Sequence, residues 1–468
     1  MPQDIRYRIN GITPLRGEVT VSGAKNAALP CMCAALLTRE EVTLHNVPEI
    51  ADIFTLLEIF SFLGVEYSFR DHTLKICAEH LECKKIPHDL VKKFRGSILL
   101  LGPLLARCGE VILAYPGGCV LGKRPVDAHI DALVQLGAEN HSDDETLHLK
   151  GSITGGVIVL SEFSVTATEN VLLAAATARG ETKIHIAAAE PHVQDLCRLL
   201  VAMGARIEGI GSHDLTITGT GLRGAVHTVT TDYLEVGFFA LAGVLTGGDL
   251  LIHGAHRDQL LTFFKALESL GAPHELRADG VLHVHGGATL KALRVKTNIF
   301  PGFPTDLQAA MGVAMTQAKG VSRIFERLYE GRFGYLYELE KMGAHVELLN
   351  AHEALIIGPT PLSGRTVTSN DIRAGAGMVL AALCARGETL ITDVQYIERG
   401  YERLPQKLQS LGASIHREEN QMVERGISSP VESGSISPSY SLSSHENSTP
   451  GRLEHPVRDA ERIITSVS

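Results

Sequence analysis

Six times along the chain an amphipathic segment stops at a glycine inside the phrase LGV, LGA or MGA. In "DIFTLLEIFSFLG", "HIDALVQLG", "HVQDLCRLLVAMG", "QLLTFFKALESLG" and "YERLPQKLQSLG" the apolar residues recur at intervals of three and four, which places them on one face of a helix. The glycine suits a left-handed helix cap. Behind it come two short alternating runs around a polar turn, as in "VEYSFRDHTLKI", "ARIEGIGSHDLTI" and "AHVELLNAHEALI", the pattern of a β-hairpin. Upstream of the helices, "GEVILAYP", "GETKIHIA", "GDLLIHGA", "GVSRIFER" and "GETLITDV" each predict one more strand.

The repeat glycines are Gly64, Gly137, Gly204, Gly271, Gly343 and Gly412, separated by 73, 67, 67, 72 and 69 residues. Units of about 70 residues exceed the usual 20 to 50 residue period of a solenoid. Three units in each of two domains is the simpler grouping. Strands recurring with helices give an α/β class, and two lobes create a cleft of the kind that favours small-molecule sites. The repeat stops near residue 425, and 425–468 is Ser-rich, poor in aromatics and aperiodic, so it is expected to be a disordered tail.

A chain of 468 residues with 44% hydrophobic content has ample material for more than one core. Its formal charge of −10 leaves no basic footprint for nucleic acid, so any anion must be met by a local cluster. The polar "MPQDIRYRIN" lacks the apolar region of a secretory signal, and no run is long enough to span a membrane; the expected setting is cytosolic. The eight cysteines show no framework spacing and are expected to remain thiols, with neither a disulfide nor a zinc site. No Walker loop, dinucleotide-binding glycine fingerprint or HExxH helix is present, so no metal and no cofactor is expected.

Charged residues gather at the entrances of the predicted helices. Lys25 and Asn26 open an apolar helix in "TVSGAKNAALPCMCAALL", where a lysine either faces solvent or joins the helix dipole in holding an anion. Arg95 follows Lys92 and Lys93; Asp306, Glu330 with Arg332, Arg373 and Arg399 occupy equivalent loops. Each arginine alone reads as a surface ion pair, whereas several converging on a cleft would hold a phosphate or carboxylate substrate. In "YPGGCVLGKRPVDAH" Cys119 precedes Lys123 and Arg124, cations that favour its thiolate. It is either buried filler or an acid, base or nucleophile, on a loop that the Gly117-Gly118 pair would leave mobile.

"SGAKNAALP", "PGGCVLGKRPVDAH", "GFPTDLQ", "DIRAGAG" and "IERGYER" resemble the motifs of the UDP-N-acetylglucosamine enolpyruvyl transferases, and the likeness runs from about residue 5 to 420. The resemblance implies two inside-out, barrel-like α/β domains: 1–22 plus 231–424, and 23–230 with the Cys119 loop. It implies transfer of the enolpyruvyl group of phosphoenolpyruvate to the 3′-hydroxyl of UDP-N-acetylglucosamine with release of phosphate, and no obligate protein partner. By the same resemblance Cys119 donates a proton to the methylene carbon, and Asp306 accepts the hydroxyl proton. Lys25, Arg124 and Arg399 clamp phosphoenolpyruvate, and Asn26 reaches both substrates. Arg95, Arg124, Pro125, Val126, Asp127, Ala128, Ser164, Val165 and Leu328 face the nucleotide sugar; Arg332 and Arg373 support. Three departures from the pattern are Thr166 where glycine is usual, Gly331 where asparagine is commoner, and His192 where an acid is frequent. The related alternatives are 3-phosphoshikimate as acceptor, and an inactive UDP-sugar-binding regulator using the tail.

Overall fold

The computed structural model describes residues 5–117 and 126–419. Cys119, Lys123, Arg124, Pro125 and the expected tail lie outside the described residues. The amphipathic segments are the helices Ala51–Phe62, Asp127–Gln135, Pro191–Ala202, Leu261–Leu270, Gly334–Lys341 and Leu404–Ser410. All six repeat glycines have positive φ, from 75° at Gly64 to 116° at Gly204. A side chain strains the backbone there, which is why glycine recurs at this point.

Five of the six following segments fold back as antiparallel hairpins, beginning with Glu66–Arg70 on Thr73–Cys77 and ending with His345–Asn350 on Glu353–Gly358. The sixth differs. Its strand Ser414–Glu419 pairs with the N-terminal strand Ile5–Asn10, in the register Ile9 opposite Ile415, so the start of the chain closes the last unit.

Each unit is also larger than strand, helix and hairpin. Five further helices, Lys25–Ala35, Val165–Ala175, Tyr233–Leu245, Gln308–Thr316 and Ile372–Cys384, are buried along nearly their whole length. Sequences such as "VLLAAATA" and "FFALAGVL" are apolar on every side, and such helices are stable only inside a core. Three of them connect parallel strands of one sheet, as Val165–Ala175 links Val157–Val159 to Glu181–His185, and Tyr233–Leu245 leads into Asp249–His253, which pairs parallel with Arg16–Thr20 from before the crossing. Among the described residues the strands form five four-stranded sheets and one three-stranded sheet, alternating buried and exposed side chains. The helices are therefore inside and the sheets outside, an α/β architecture turned inside out.

Two hydrophobic cores form. One takes residues from Ile5 to Val21 and from Tyr233 to Ile415, including Tyr7, Phe238, Phe263 and Met378; the other runs from Ala24 to Val229 around Met32, Phe60, Phe94 and Leu172. The chain crosses between them twice, side by side: the Ala24 amide donates to the Thr230 carbonyl at 2.8 Å and the Asp232 amide to the Ser22 carbonyl at 2.9 Å. Gly23 sits at this crossing, where a Cβ would lie 1.7 Å from the Asn46 carbonyl oxygen.

One expectation is corrected. Cys83 and Cys108 form a disulfide, with Cα atoms 5.7 Å apart. The fold brings the loop after Thr73–Cys77 against the end of the helix Leu101–Cys108, a proximity that spacing along the chain does not encode. Cys31, Cys33 and Cys197 are buried thiols; burial pushes Cys197 up to about 12. Among the described residues no helix is long and apolar enough to cross a membrane.

Candidate active site

Two carboxylates, each gripping two cations, organise the site. The first is Asp52, in the opening turn of Ala51–Phe62. Its Oδ2 lies 2.6 Å from Lys25 Nζ and its Oδ1 accepts from Arg399 Nε at 2.8 Å. Lys25 begins the buried helix just after the chain crossing, and Arg399 follows the short helix Gln395–Glu398 of the other core. Lys25 is nearly enclosed; burial lowers its pKa, Asp52 opposes that, and the charges of Arg373 and Arg399 add to the lowering.

The second carboxylate is Asp306, in the 3-10 turn Thr305–Leu307 before a buried helix. Arg332 Nη2 donates to its Oδ1 at 2.7 Å and Arg373 Nε to its Oδ2 at 3.0 Å. Burial alone would raise the pKa of this group, but the two guanidiniums hold it well below the usual carboxylate range. Asp306 is therefore ionised at neutral pH and, in this arrangement, a weak base. Asp371 caps the helix that carries Arg373 by accepting from the Arg373 and Ala374 amides, which fixes that guanidinium's approach.

Lys25, Arg332, Arg373 and Arg399 thus bring four cations onto Asp52 and Asp306 in a largely desolvated place, where the charges of Asp371 and Glu326 also act on Arg332 and that of Asp232 on Arg373. Arg332 Nε and Arg373 Nη1 are buried donors with no protein acceptor. Such donors are costly unless something fills them, and oxygens of a multiply charged anion match them. Leu328, 37% exposed, is tied to the same region. Glu326 Oε1 accepts from the Leu328 amide at 2.9 Å, and Glu326 Oε2 from Thr305 Oγ1 at 2.8 Å, next to Asp306.

A second group lies in the other core. Ser164 caps Val165–Ala175 by accepting from the Ala167 amide. Thr166 Oγ1 stands 2.8 Å from Nε2 of His129, whose pKa is drawn down to about 4 by burial and then by Arg95. Arg95 opens the 3-10 turn Arg95–Leu100; Val126 and Ala128 are buried while Asp127 between them is exposed at the start of its helix. Thr166 and Arg95 therefore lie near His129, with Ser164 and Val165 next to Thr166 along the chain. Asn26 is partly exposed beside Lys25. His192 is buried with Nδ1 unpartnered and its pKa lowered to about 4 by burial, the Asp306 charge opposing. Gly331 lies in the 3-10 turn that carries Arg332.

Of the glycine pair in the expected loop, Gly117 is described and Gly118 lies outside the described residues. A Cβ on Gly117 would lie 1.9 Å from the Lys92 carbonyl oxygen, so the backbone passes tightly over that residue. Sequence reasoning missed Asp52 and Glu326. Asp52 carried a readable signal: it shares a helical face with Leu56 and Ile59, both buried, and an acid at a core position calls for a cation.

Residues 9–408 match the family described as EPSP synthase (3-phosphoshikimate 1-carboxyvinyltransferase). A UDP-N-acetylglucosamine 1-carboxyvinyltransferase of Koribacter versatilis is 44% identical over 418 residues, 88% of this chain and 96% of that protein. The chain belongs to the UDP-N-acetylglucosamine 1-carboxyvinyltransferase family. Another member, from Solibacter usitatus, is 40% identical over 88% of this chain and all of its own length. Among solved structures, the enolpyruvyl transferase NikO from Streptomyces tendae superposes with a TM-score of 0.82 at 27% identity, covering 90% of this chain and 100% of its own. An EPSP synthase from Acinetobacter baumannii shares the fold, with a TM-score of 0.70 at 19% identity over 89% of this chain. The carboxyvinyltransferase family is thus one in which the inside-out architecture accompanies an enzyme.

Proposed function

We propose that this chain transfers the enolpyruvyl group of phosphoenolpyruvate to the 3′-hydroxyl of UDP-N-acetylglucosamine, releasing phosphate. The observation that carries the reading is the convergence of four cations, Lys25, Arg399, Arg332 and Arg373, on Asp52 and Asp306, in a chain 40 to 44% identical to relatives that bear this enzyme's name. The two cores are its two domains, 1–22 plus 231–424 and 23–230.

Phosphoenolpyruvate brings a phosphate and a carboxylate. Lys25 and Arg399, with Arg124, hold it and take up the charge of the departing phosphate; Asn26 bridges to the sugar. Cys119 gives its proton to the methylene carbon as the sugar oxygen attacks the neighbouring carbon; the resulting adduct then loses phosphate and returns one methyl proton to the Cys119 thiolate, which restores the double bond. Asp306 orients the 3′-hydroxyl and accepts its proton as the oxygen attacks. An anion between the arginines partly neutralises them, which raises the basicity of Asp306 when both substrates are present. Arg95, Pro125, Val126, Asp127, Ala128, Ser164, Val165 and Leu328 bind the nucleotide sugar; the Thr166 hydroxyl holds His129 at its edge. Arg332 and Arg373 set the orientation of Asp306.

The product commits UDP-N-acetylglucosamine to peptidoglycan, so the enzyme acts in the cytoplasm and its loss affects cell shape and division. Fosfomycin, an epoxide that mimics phosphoenolpyruvate, alkylates Cys119. The deciding experiment measures phosphate release from phosphoenolpyruvate with UDP-N-acetylglucosamine and, separately, with shikimate 3-phosphate. Release only with the nucleotide sugar is expected, abolished by Cys119→Ala; release only with shikimate 3-phosphate, or with neither, refutes the reading.

A further inference from the structure

The sheet ordered His274–Leu276, Val281–His285, Asp249–His253, Arg16–Thr20 carries a histidine cluster that the proposed reaction does not use. Strand alternation puts His283 and His285 on one face, and the antiparallel register sets Asp249 opposite His285 and Leu251 opposite His283. Asp249 reaches both rings: Oδ1 is 2.7 Å from His283 Nε2 and Oδ2 is 3.6 Å from His285 Nδ1. The two ring centroids are 3.8 Å apart.

We propose that His283, His285 and Asp249 form a surface site for a divalent transition-metal ion of the zinc type. One atom from each of the three lies within 4.8 Å of the others. Ligands held at about 2.0 to 2.2 Å around a tetrahedral ion stand roughly 3.3 Å from one another, so small side-chain rotations close the site. Both strands are the inner pair of their sheet, which fixes the Cα positions before any ion arrives. Two imidazoles and one carboxylate select zinc, cobalt, nickel or copper over calcium and magnesium, which take oxygen ligands. His285 and Asp249 are about half exposed, leaving room for water to complete the coordination. Arg277, whose Nη2 is 3.4 Å from His283 Nδ1, is exposed and able to turn outward when that nitrogen carries the proton. A bound ion would tie the strands together and add stability in proportion to its occupancy. The sequence conceals the site because Asp249 lies 34 residues before His283.

The test titrates the full chain, stripped with a chelator, with Co2+ and then with Zn2+, beside H283Q/H285Q and D249N. The unsubstituted chain is expected to take up one equivalent of Co2+ more than the double variant, with weak visible bands and no thiolate charge-transfer absorption. Asp249→Asn should weaken binding by at least about tenfold. Phosphate release in metal-free buffer should be the same in all three, since none of these residues belongs to the proposed active site; if the double variant does not fold, D249N and H285Q carry the comparison. Equal uptake by the unsubstituted chain and the folded variants overturns the proposal. So does a cobalt spectrum dominated by a thiolate band that survives the substitutions, which would point to the buried group of Cys31, Asp195 and His227.

Discussion

Asp52→Asn removes the one charge that Lys25 and Arg399 share while keeping its shape. Asp52 and Lys25 are almost wholly buried and the Arg399 side chain is 17% exposed, so little water is at hand to replace the carboxylate. Deleting one partner of a buried ion pair costs about 3 to 5 kcal/mol. The retained amide oxygen and the partial exposure of Arg399 place the expected loss near the lower figure, about 6 to 12 °C in melting temperature for one core. The pH dependence follows from Lys25. Its pKa is already lowered in the folded chain and falls further without Asp52, so the unfolded chain binds the proton more tightly. The destabilisation is therefore largest while Lys25 is charged in both folded proteins, and it shrinks as pH rises through its lowered folded values, closing below the unfolded value of about 10.4. Melting curves from pH 7 to pH 10 measure this, with the gap between variant and unsubstituted chain narrowing upward. Phosphoenolpyruvate should raise the variant's melting temperature more than that of the unsubstituted chain, because the ligand supplies the missing negative charge. An unchanged melting temperature at pH 7, or a gap that widens with pH, refutes the argument that Asp52 neutralises these cations.

Asp306→Asn should abolish phosphate release. Since Arg373 and Arg332 hold the Asp306 pKa down in the fold, its ionised form contributes stability at neutral pH that fades as pH falls below about 4; acid melting of the variant should lack that step. Gly271→Ala should lower stability by about 1 to 2 kcal/mol, read by urea denaturation, because φ there is 77° while the nearest atom to a new Cβ is a comfortable 3.7 Å away. Cys83→Ser opens a loop of 25 residues and should cost about 3 kcal/mol under oxidising conditions, a difference that dithiothreitol removes.

The repeat was legible because it is written in local terms. Gly64, Gly137, Gly204, Gly271, Gly343 and Gly412 each answer a backbone requirement within a few residues, and the alternating runs beyond them need only a neighbouring strand. The buried helices were harder to read, since "QAAMGVAMT" has no polar face and hence no period to detect; its helical character depends on what surrounds it. Lys25, Arg95, Asp306 and Arg373 do lie at helix or 3-10 entrances, whereas Arg399 ends the short helix Gln395–Glu398, and the partners of these charges were not legible. Asp52 and Arg399 are 347 residues apart, and Cys83 finds Cys108 only because two elements of one unit pack. Pairings of that kind are properties of the tertiary fold, and a single sequence records them as isolated charges or thiols.

The pairing through Asp52 has a consequence for how the two cores act together. Asp52 and Lys25 belong to the Ala24–Val229 core, whereas Arg399 lies in the segment of the other, so the grip on Arg399 is a charged contact between cores. Close to it a second contact does the same: Glu402 Oε2 accepts from Ser22 Oγ at 2.5 Å, and its Oε1 from the Glu49 amide at 2.9 Å. Lys407 joins that group through Ser22 Oγ at 2.7 Å and Glu235 Oε1 at 2.6 Å. These contacts surround the double crossing at Ser22–Ala24 and Val229–Asp232, where the backbone connection itself is only two strands wide. An anion entering between Lys25 and Arg399 would compete with Asp52 for both cations at once. Its charge would then be felt on both sides of the crossing, and the electrostatics proposed to hold the substrate would also set how firmly the cores are held to each other.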